Sequence, residues 1–293
     1  MPDPSLSRPT RGFVLDAFGG PEVLRLAERP TPAPGPDEVL LDVEVCGVNF
    51  GDTMIRRGEY LRDQPLSMAP GCEVVGRVAA AGPGVAAGTR VAGWVEAGGA
   101  YSDRVIVPAH RVYPVPEDVP AGAIAAVFFQ GTTADYAVHR YGRMQAGEWV
   151  LVHAASGGVG GVAVQLAKLA GGRVIGTAST EDKRQVARDR GADVTLDSRD
   201  PDALRAGVLE ATGGRGCDVV IDGVGGPLFA PSLRALGFRG RYVIVGSASQ
   251  QPAMLDARHL LPRNQTIVGF ILARISEEDA SEPGRALLRL CEL

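Results

Sequence analysis

The seven residues Ala154 to Gly160 have the types and spacing to hold a phosphate. In the string WVLVHAASGGVGGVAVQLAKLA, Ala154-x-x-Gly157-x-x-Gly160 lies between an apolar run and an amphipathic one. A strand that bends sharply into a helix needs a residue free of steric limits at the bend. It also needs backbone bare enough for a pyrophosphate to approach, and a small residue where helix and strand pack. The first N–H groups of the helix and the positive end of its dipole then face the anion. Ala154, Ser156, Gly157, Gly158, Val159 and Gly160 are therefore candidate dinucleotide contacts. Val159, Val162, Ala163, Leu166, Leu169 and Ala170 fall on one helical stripe, the face expected to be buried. A tight turn with no ligand would use the same glycines. What favours a ligand is the next strand-like run, which falls roughly 20 residues on, where a dinucleotide fold requires it.

That run bears on which dinucleotide is held. A strand that reads NAD usually ends in an acid that bonds the ribose 2′-hydroxyl. Thr177, Ala178 and Ser179 stand there instead. The hydroxyls of Thr177 and Ser179, followed by Lys183, suit a 2′-phosphate, which a carboxylate would repel. Ser179 or Thr180 could equally cap the next helix, with Glu181 and Asp182 complementing its dipole, and both readings can hold together. The missing strand-end acid favours NADPH over NADH.

These residues need elements to hold them. From Glu148 onward, apolar runs alternate with helical segments, the signature of βαβ units and a parallel sheet. Candidate strands near 148–153, 173–177, 193–196, 217–222, 241–246 and 266–272 make six, the usual complement of a doubly wound dinucleotide-binding sheet. Ligands sit outside the carboxyl ends of such strands, which brings in Asp222 and Gly223, then Val245, Gly246 and Ser247, then Phe270, Ile271 and Leu272. Each group could also be only a strand-ending turn. Before residue 130 the pattern is short β-like stretches broken by Gly and Pro, such as EVLLDVEV (38–45) and TRVAGWV (89–95), which argue for a small antiparallel barrel or sandwich. One helical patch covers 51–57, and a helix over 131–140 joins the halves. The expected domains are 1–129, mostly β, and 130–293, α/β.

Composition narrows the partners. A net charge of −4 gives no basic footprint for nucleic acid. No apolar run approaches the ~18 residues of a membrane span, and MPDPSLSRPT reads as a short lead-in rather than a signal peptide. Cys46, Cys72, Cys217 and Cys291 lie far apart with no C-x-x-C pair, which suits reduced thiols in a cytoplasm.

The strings NFGDTMIRRGEY (49–60), GTTADYAV and VHAASGGVGGVAVQLAKLAGGRVIGTAS together resemble the medium-chain dehydrogenase/reductase superfamily, in its zinc-free, zeta-crystallin-like quinone oxidoreductase branch. The resemblance implies a GroES-like catalytic domain followed by a Rossmann domain, and hydride transfer from NADPH to a quinone or an activated alkene such as an enone. An enoyl-thioester reductase of the same fold and a non-catalytic NADPH-binding relative are the alternatives. By resemblance, Asn49, Asp52 and Tyr60 lie on the substrate side. Tyr60 would hydrogen-bond the acceptor oxygen, Asn49 would be a neutral donor of the same kind, and Asp52 would order Asn49 or its loop. Alternatively Tyr60 is a loop aromatic and Asn49 a helix cap. Thr133 matches a position near the nicotinamide, and a helix-start hydroxyl explains it as well. Zinc-dependent members carry Cys where this chain has Asn49, and G-H-E where it has Gly71-Cys72-Glu73, so no metal is expected. Members usually continue ~30–40 residues further, as a segment returning to the catalytic domain. That return segment is expected to be missing here. A homodimer through the edge strand TIVGFIL (266–272) is also expected.

Overall fold

The structure, a computed structural model, describes residues 8–60, 66, 70–95 and 98–293. Most of the lead-in expected at the N-terminus, residues 1–7, lies outside the described residues. The chain forms two compact units. One comprises the described residues up to Phe129 together with Ile275–Leu293, and the other runs from Gln130 to Arg274.

In the first unit, β1 (Thr10–Leu15) pairs antiparallel with β2 (Leu24–Arg29). The chain continues through β3 (Glu38–Cys46), α1 (Phe50–Arg57), β4 (Glu73–Ala80), β5 (Arg90–Trp94), β6 (Arg104–Pro108) and β7 (Val112–Pro114). These last five strands form an antiparallel sheet in the order β6-β3-β4-β5-β7. Their β-branched residues face one core, with Val39, Leu41, Val74, Val91 and Val107 among its members. α1 is short and heavily punctuated. Asp52, at its third helical position, accepts the backbone N–H of Asn49 at 2.8 Å, half of a capping box. Gly58 ends it in the left-handed conformation, at φ 71°, with Arg56 and Arg57 in the last turn.

α2 (Ala121–Asp135) follows and runs on into a π-helical turn, Tyr136–Tyr141. The helix expected over 131–140 thus starts ten residues earlier, directly after Pro120. Its first ten residues, AGAIAAVFFQ, carry no charged residue to mark a solvent face, so no amphipathic stripe announces them. Thr133 consequently lies in the last turn of this helix and not at its start.

The second unit is a six-stranded parallel sheet. β8 (Trp149–Val152), α3 (Gly158–Leu169), β9 (Arg173–Ala178), α4 (Glu181–Asp189) and β10 (Val194–Asp197) build one half. α5 (Pro201–Ala211), β11 (Cys217–Asp222), α6 (Phe229–Ala235), β12 (Leu236–Ile244) and β13 (Thr266–Gly269) build the other. The strand order β10-β9-β8-β11-β12-β13 is that of a Rossmann sheet, with its switch point between β8 and β11. Leu151, Ile175, Leu204, Val220 and Tyr242 are among its core residues. The buried face of α3 only partly matches the expected stripe: Gly160, Gly161, Ala163, Val164, Leu166 and Ala167 are buried, so Ala163 and Leu166 fall where expected, while Leu169 is 68% exposed.

The C-terminal residues depart from the expected 130–293 domain. α7 (Leu272–Glu278) and α8 (Glu282–Cys291) follow β13, and Ile275 onward belongs to the first unit. α8 buries Pro283, Gly284, Ala286, Leu287 and Leu290. A Cβ on Gly284 would stand 2.3 Å from the Tyr113 ring, and the Tyr113 hydroxyl donates to the Ala280 carbonyl at 2.8 Å. Among the described residues, no helix is long and apolar enough to cross a membrane.

Candidate functional site

In the first unit, the residues singled out around α1 form one buried polar cluster. Asn49 caps α1 and is 7% exposed; Asp52 is 5% exposed. The Asp52 Oδ2 accepts the Asn49 N–H and, at 2.8 Å, the Tyr101 hydroxyl, and burial pushes its carboxyl pKa up. Asp52 therefore orders Asn49 and the loop. The Asn49 Nδ2 donates to Glu73 Oε1 at 2.7 Å and lies 3.5 Å from Cys72 Sγ. The second Glu73 oxygen accepts the backbone N–H of Phe129 at 2.7 Å, and burial raises this carboxyl to about pKa 7. Tyr60 is 38% exposed, and its ring edge is 3.5 Å from where a Cβ on Gly51 would be, against the first turn of α1. The sequence missed Tyr101, which no motif marks, and singled out Glu73 only in the comparison with zinc-dependent members.

This donor set does not fit a catalytic zinc, which takes three ligands of thiolate, imidazole or carboxylate type. Asn49 is an amide. The Cys72 thiol is half-buried and desolvation holds it well above its usual pKa, and the oxygens of Glu73 are taken by protein N–H groups. Among the described residues, no three His, Cys, Asp or Glu side chains are grouped to hold a metal.

In the second unit the glycine turn is built for close approach. Ala154 takes the left-handed conformation, at φ 49°, and its carbonyl accepts the Gly157 N–H at 2.8 Å. A Cβ on Gly160 would lie 2.3 Å from the Ala154 carbonyl oxygen and 2.9 Å from that of His153. The first-turn N–H groups of α3, from Gly158 to Gly160, have no intrahelical acceptor and point out of the helix end. The Gln130 side chain lies directly over Gly158. Arg190, which no motif marked, donates to the Gly157 carbonyl at 2.9 Å and packs where a Gly161 side chain would go.

Beside the turn lies a hollow of about 430 Å³ lined by Ala154, Ser156, Ser179, Lys183, Arg199 and Gln251, among others. The ambiguity at the end of β9 separates here. Thr180 is the α4 cap, its hydroxyl accepting the Lys183 N–H, and Ser179 is left to the hollow. Glu181 is bonded to Arg184 and Arg188 along its own helix. The Lys183 side chain makes no ion pair with any described residue. Arg199, also missed, is paired with Asp197 at 2.7 Å.

Several expected contacts have other partners. Thr177 is fully buried, its hydroxyl 2.9 Å from His153 Nδ1. Ser232 Oγ gives its hydrogen to the Leu228 carbonyl and so accepts from His153 Nε2 at 2.8 Å. His153 Nδ1 is thus an acceptor, and Thr177 spends its hydrogen there. Burial keeps this imidazole neutral by lowering its pKa. Asp222 is 1% exposed: one oxygen accepts the N–H groups of Val224 and Gly225, the other the Tyr242 hydroxyl at 2.7 Å. It braces the strand-end turn and has no oxygen turned to a ligand. Gly223 and Val245 are half-buried beside one another, and Gly246 and Ser247 are exposed. Phe270 stacks on Tyr141 at 4.6 Å, Ile271 is 51% exposed and Leu272 is buried at the start of α7. Thr133 is buried at 7% exposure.

Comparison with known proteins agrees with this architecture. Residues 35–117 match the alcohol dehydrogenase GroES-like domain, and residues 158–287 the zinc-binding dehydrogenase domain. The chain is 34% identical over 281 residues to a quinone oxidoreductase of Lama guanicoe, covering 94% of this chain and 84% of that protein. Among solved structures, a mycobacterial protein in complex with NADPH superposes with a TM-score of 0.88 at 36% identity, over 97% of this chain and 87% of that one. The Escherichia coli quinone oxidoreductase in complex with NADPH gives 0.87 at 32% identity, over the same shares. With a GroES-like sheet, a Rossmann sheet in its characteristic order and these relatives, the chain belongs to the medium-chain dehydrogenase/reductase superfamily, in its quinone oxidoreductase branch.

Proposed function

We propose that this protein is a zinc-independent, NADPH-dependent reductase whose acceptor is a quinone, with activated alkenes such as enones as the second acceptor class. The observation that carries the reading is the hollow beside the glycine turn, where Lys183 and Ser179 replace the acid of an NAD-selective strand end. The first-turn N–H groups of α3 hold the pyrophosphate, and Lys183 and Ser179 hold the 2′-phosphate. NADPH supplies the hydride, so the protein has to bind, orient and keep out water. Relatives solved with NADPH support this choice of dinucleotide. The Tyr60 hydroxyl donates to the acceptor oxygen as negative charge grows there. Asp52 and Tyr101 hold the α1 cap that places Tyr60's neighbour Gly51.

The test is NADPH consumption with a panel of quinones and enones. Tyr60→Phe is expected to lower kcat by about tenfold or more while leaving NADPH affinity unchanged. Dinucleotide binding with no turnover of any acceptor, or an unaltered kcat in Tyr60→Phe, would contradict the reading.

The same reading gives a homodimer in the cytoplasm. β13 lies at the edge of the Rossmann sheet, and an apolar edge invites a second copy. The four cysteines are free thiols, in keeping with a reducing compartment. Light scattering is expected to give twice the 30.6 kDa chain mass; a mass of one chain removes the dimer.

A further inference from the structure

Gly161 lies one residue past the spaced small residues of the turn, and the bare backbone there serves Arg190. A Cβ on Gly161 would overlap the Arg190 Nη1 and stand 2.6 Å from its Cζ and 3.1 Å from its Cδ. The three nearest atoms all belong to that one side chain. Arg190 is fixed at its root. It ends α4, with its N–H on the Val186 carbonyl at 3.2 Å, and Gly191 follows at a positive φ of 106°. The side chain then reaches across to α3, where Nη1 donates to the Gly157 carbonyl at 2.9 Å. That is the only polar contact of the side chain with a described residue, so its charge has no acidic partner among them.

This bond fixes one peptide unit. The Gly157 carbonyl and the Gly158 N–H belong to the same planar trans peptide and point opposite ways. The carbonyl is held by Arg190 and by the Gly161 N–H, both at 2.9 Å, so the Gly158 N–H is aimed out of the end of α3. A cationic donor on the oxygen also polarises the peptide and makes that N–H a stronger donor. Helix electrostatics alone do not call for the charge. A cation is favoured at the C-terminus of α4, where Arg190 is rooted, and disfavoured at the first turn of α3, where its guanidinium ends. An anion at that turn reverses the balance.

We propose that Arg190 is a positioning residue for the dinucleotide pyrophosphate, acting through the Gly157–Gly158 peptide. The inference rests on the reading that the first turn of α3 holds that pyrophosphate. Arg190 then serves NADPH and NADH alike, because the pyrophosphate is common to both.

Arg190→Met keeps the apolar stem against Gly161 and removes the charge and its donors. Fluorescence titration of the full chain should show the dissociation constants of NADPH and NADH both raised about fivefold. The gap from the parent should narrow as salt is raised. Gly161→Ala dislodges the same guanidinium. It should cost about fivefold in the parent and nothing in Arg190→Met. Alanine favours a helix more than glycine does, so that loss is not one of helix stability. Parent affinities in Arg190→Met, a loss confined to NADPH, or a gap that salt leaves unchanged would each overturn the proposal and leave the dinucleotide reading standing. So would a Gly161→Ala cost that persists in Arg190→Met. A parent that binds neither dinucleotide overturns that reading, and this proposal with it.

Discussion

Gly160→Ala is expected to weaken dinucleotide binding by about tenfold to a hundredfold. The added Cβ would stand 2.3 Å from the Ala154 carbonyl oxygen and 2.9 Å from that of His153. Neither is a side chain that can step aside. His153 is tied into the sheet by its N–H to the Ile221 carbonyl at 3.0 Å, and β8 is hydrogen-bonded on both sides. The helix must therefore lift, which moves the first-turn N–H groups away from the pyrophosphate. Overpacking of this kind costs about 1–3 kcal/mol, and each 1.4 kcal/mol is tenfold in affinity. Gly122→Ala, in α2, is the control, because a Cβ there would meet nothing within 4 Å. Titrations of both variants, with thermal melting beside them, check the claim. Equal affinities for parent and Gly160→Ala would contradict it.

Lys183→Glu is expected to raise the NADPH dissociation constant about a hundredfold and to leave that of NADH within about threefold. A charge-assisted bond to phosphate is worth about 1.5–3 kcal/mol, and reversing the charge adds repulsion to the loss. The neighbouring cations do not readily substitute, because Arg184 and Arg199 are both paired with Asp197. The site is open to solvent, so the NADPH penalty should shrink as salt is raised. Parallel fluorescence titrations with the two dinucleotides read this directly. A variant that loses both equally would place Lys183 outside the phosphate site.

The parts of this fold that were legible in the sequence are those with a strong local signature. Six strands of the second unit fall within a few residues of their expected places because each apolar run is bounded by turn residues. The turn at Ala154–Gly160 was legible because three small residues at fixed spacing have a steric purpose that the structure displays at Gly160. What stayed hidden depends on burial and long-range pairing. The start of α2 was missed because an apolar helix has no periodic face. Thr177 and Asp222 sit at the right strand ends, yet their side chains turn inward to His153 and to Tyr242. Nothing in the sequence says which way a side chain at a strand end points. Tyr101 and Arg190 reach their partners across 49 and 33 residues, beyond any motif. The C-terminal helix groups with the first unit and not with the second for the same reason, since it is long-range contact with Tyr113, at Gly284 and at the Ala280 carbonyl, that shows where it belongs.

If the hollow beside the glycine turn takes NADPH, isothermal titration of the full chain with NADPH and with NADH should show it. Saturable binding of one NADPH per chain, at least about tenfold tighter than NADH, is expected. Binding of neither, or NADH bound as tightly as NADPH, would contradict it.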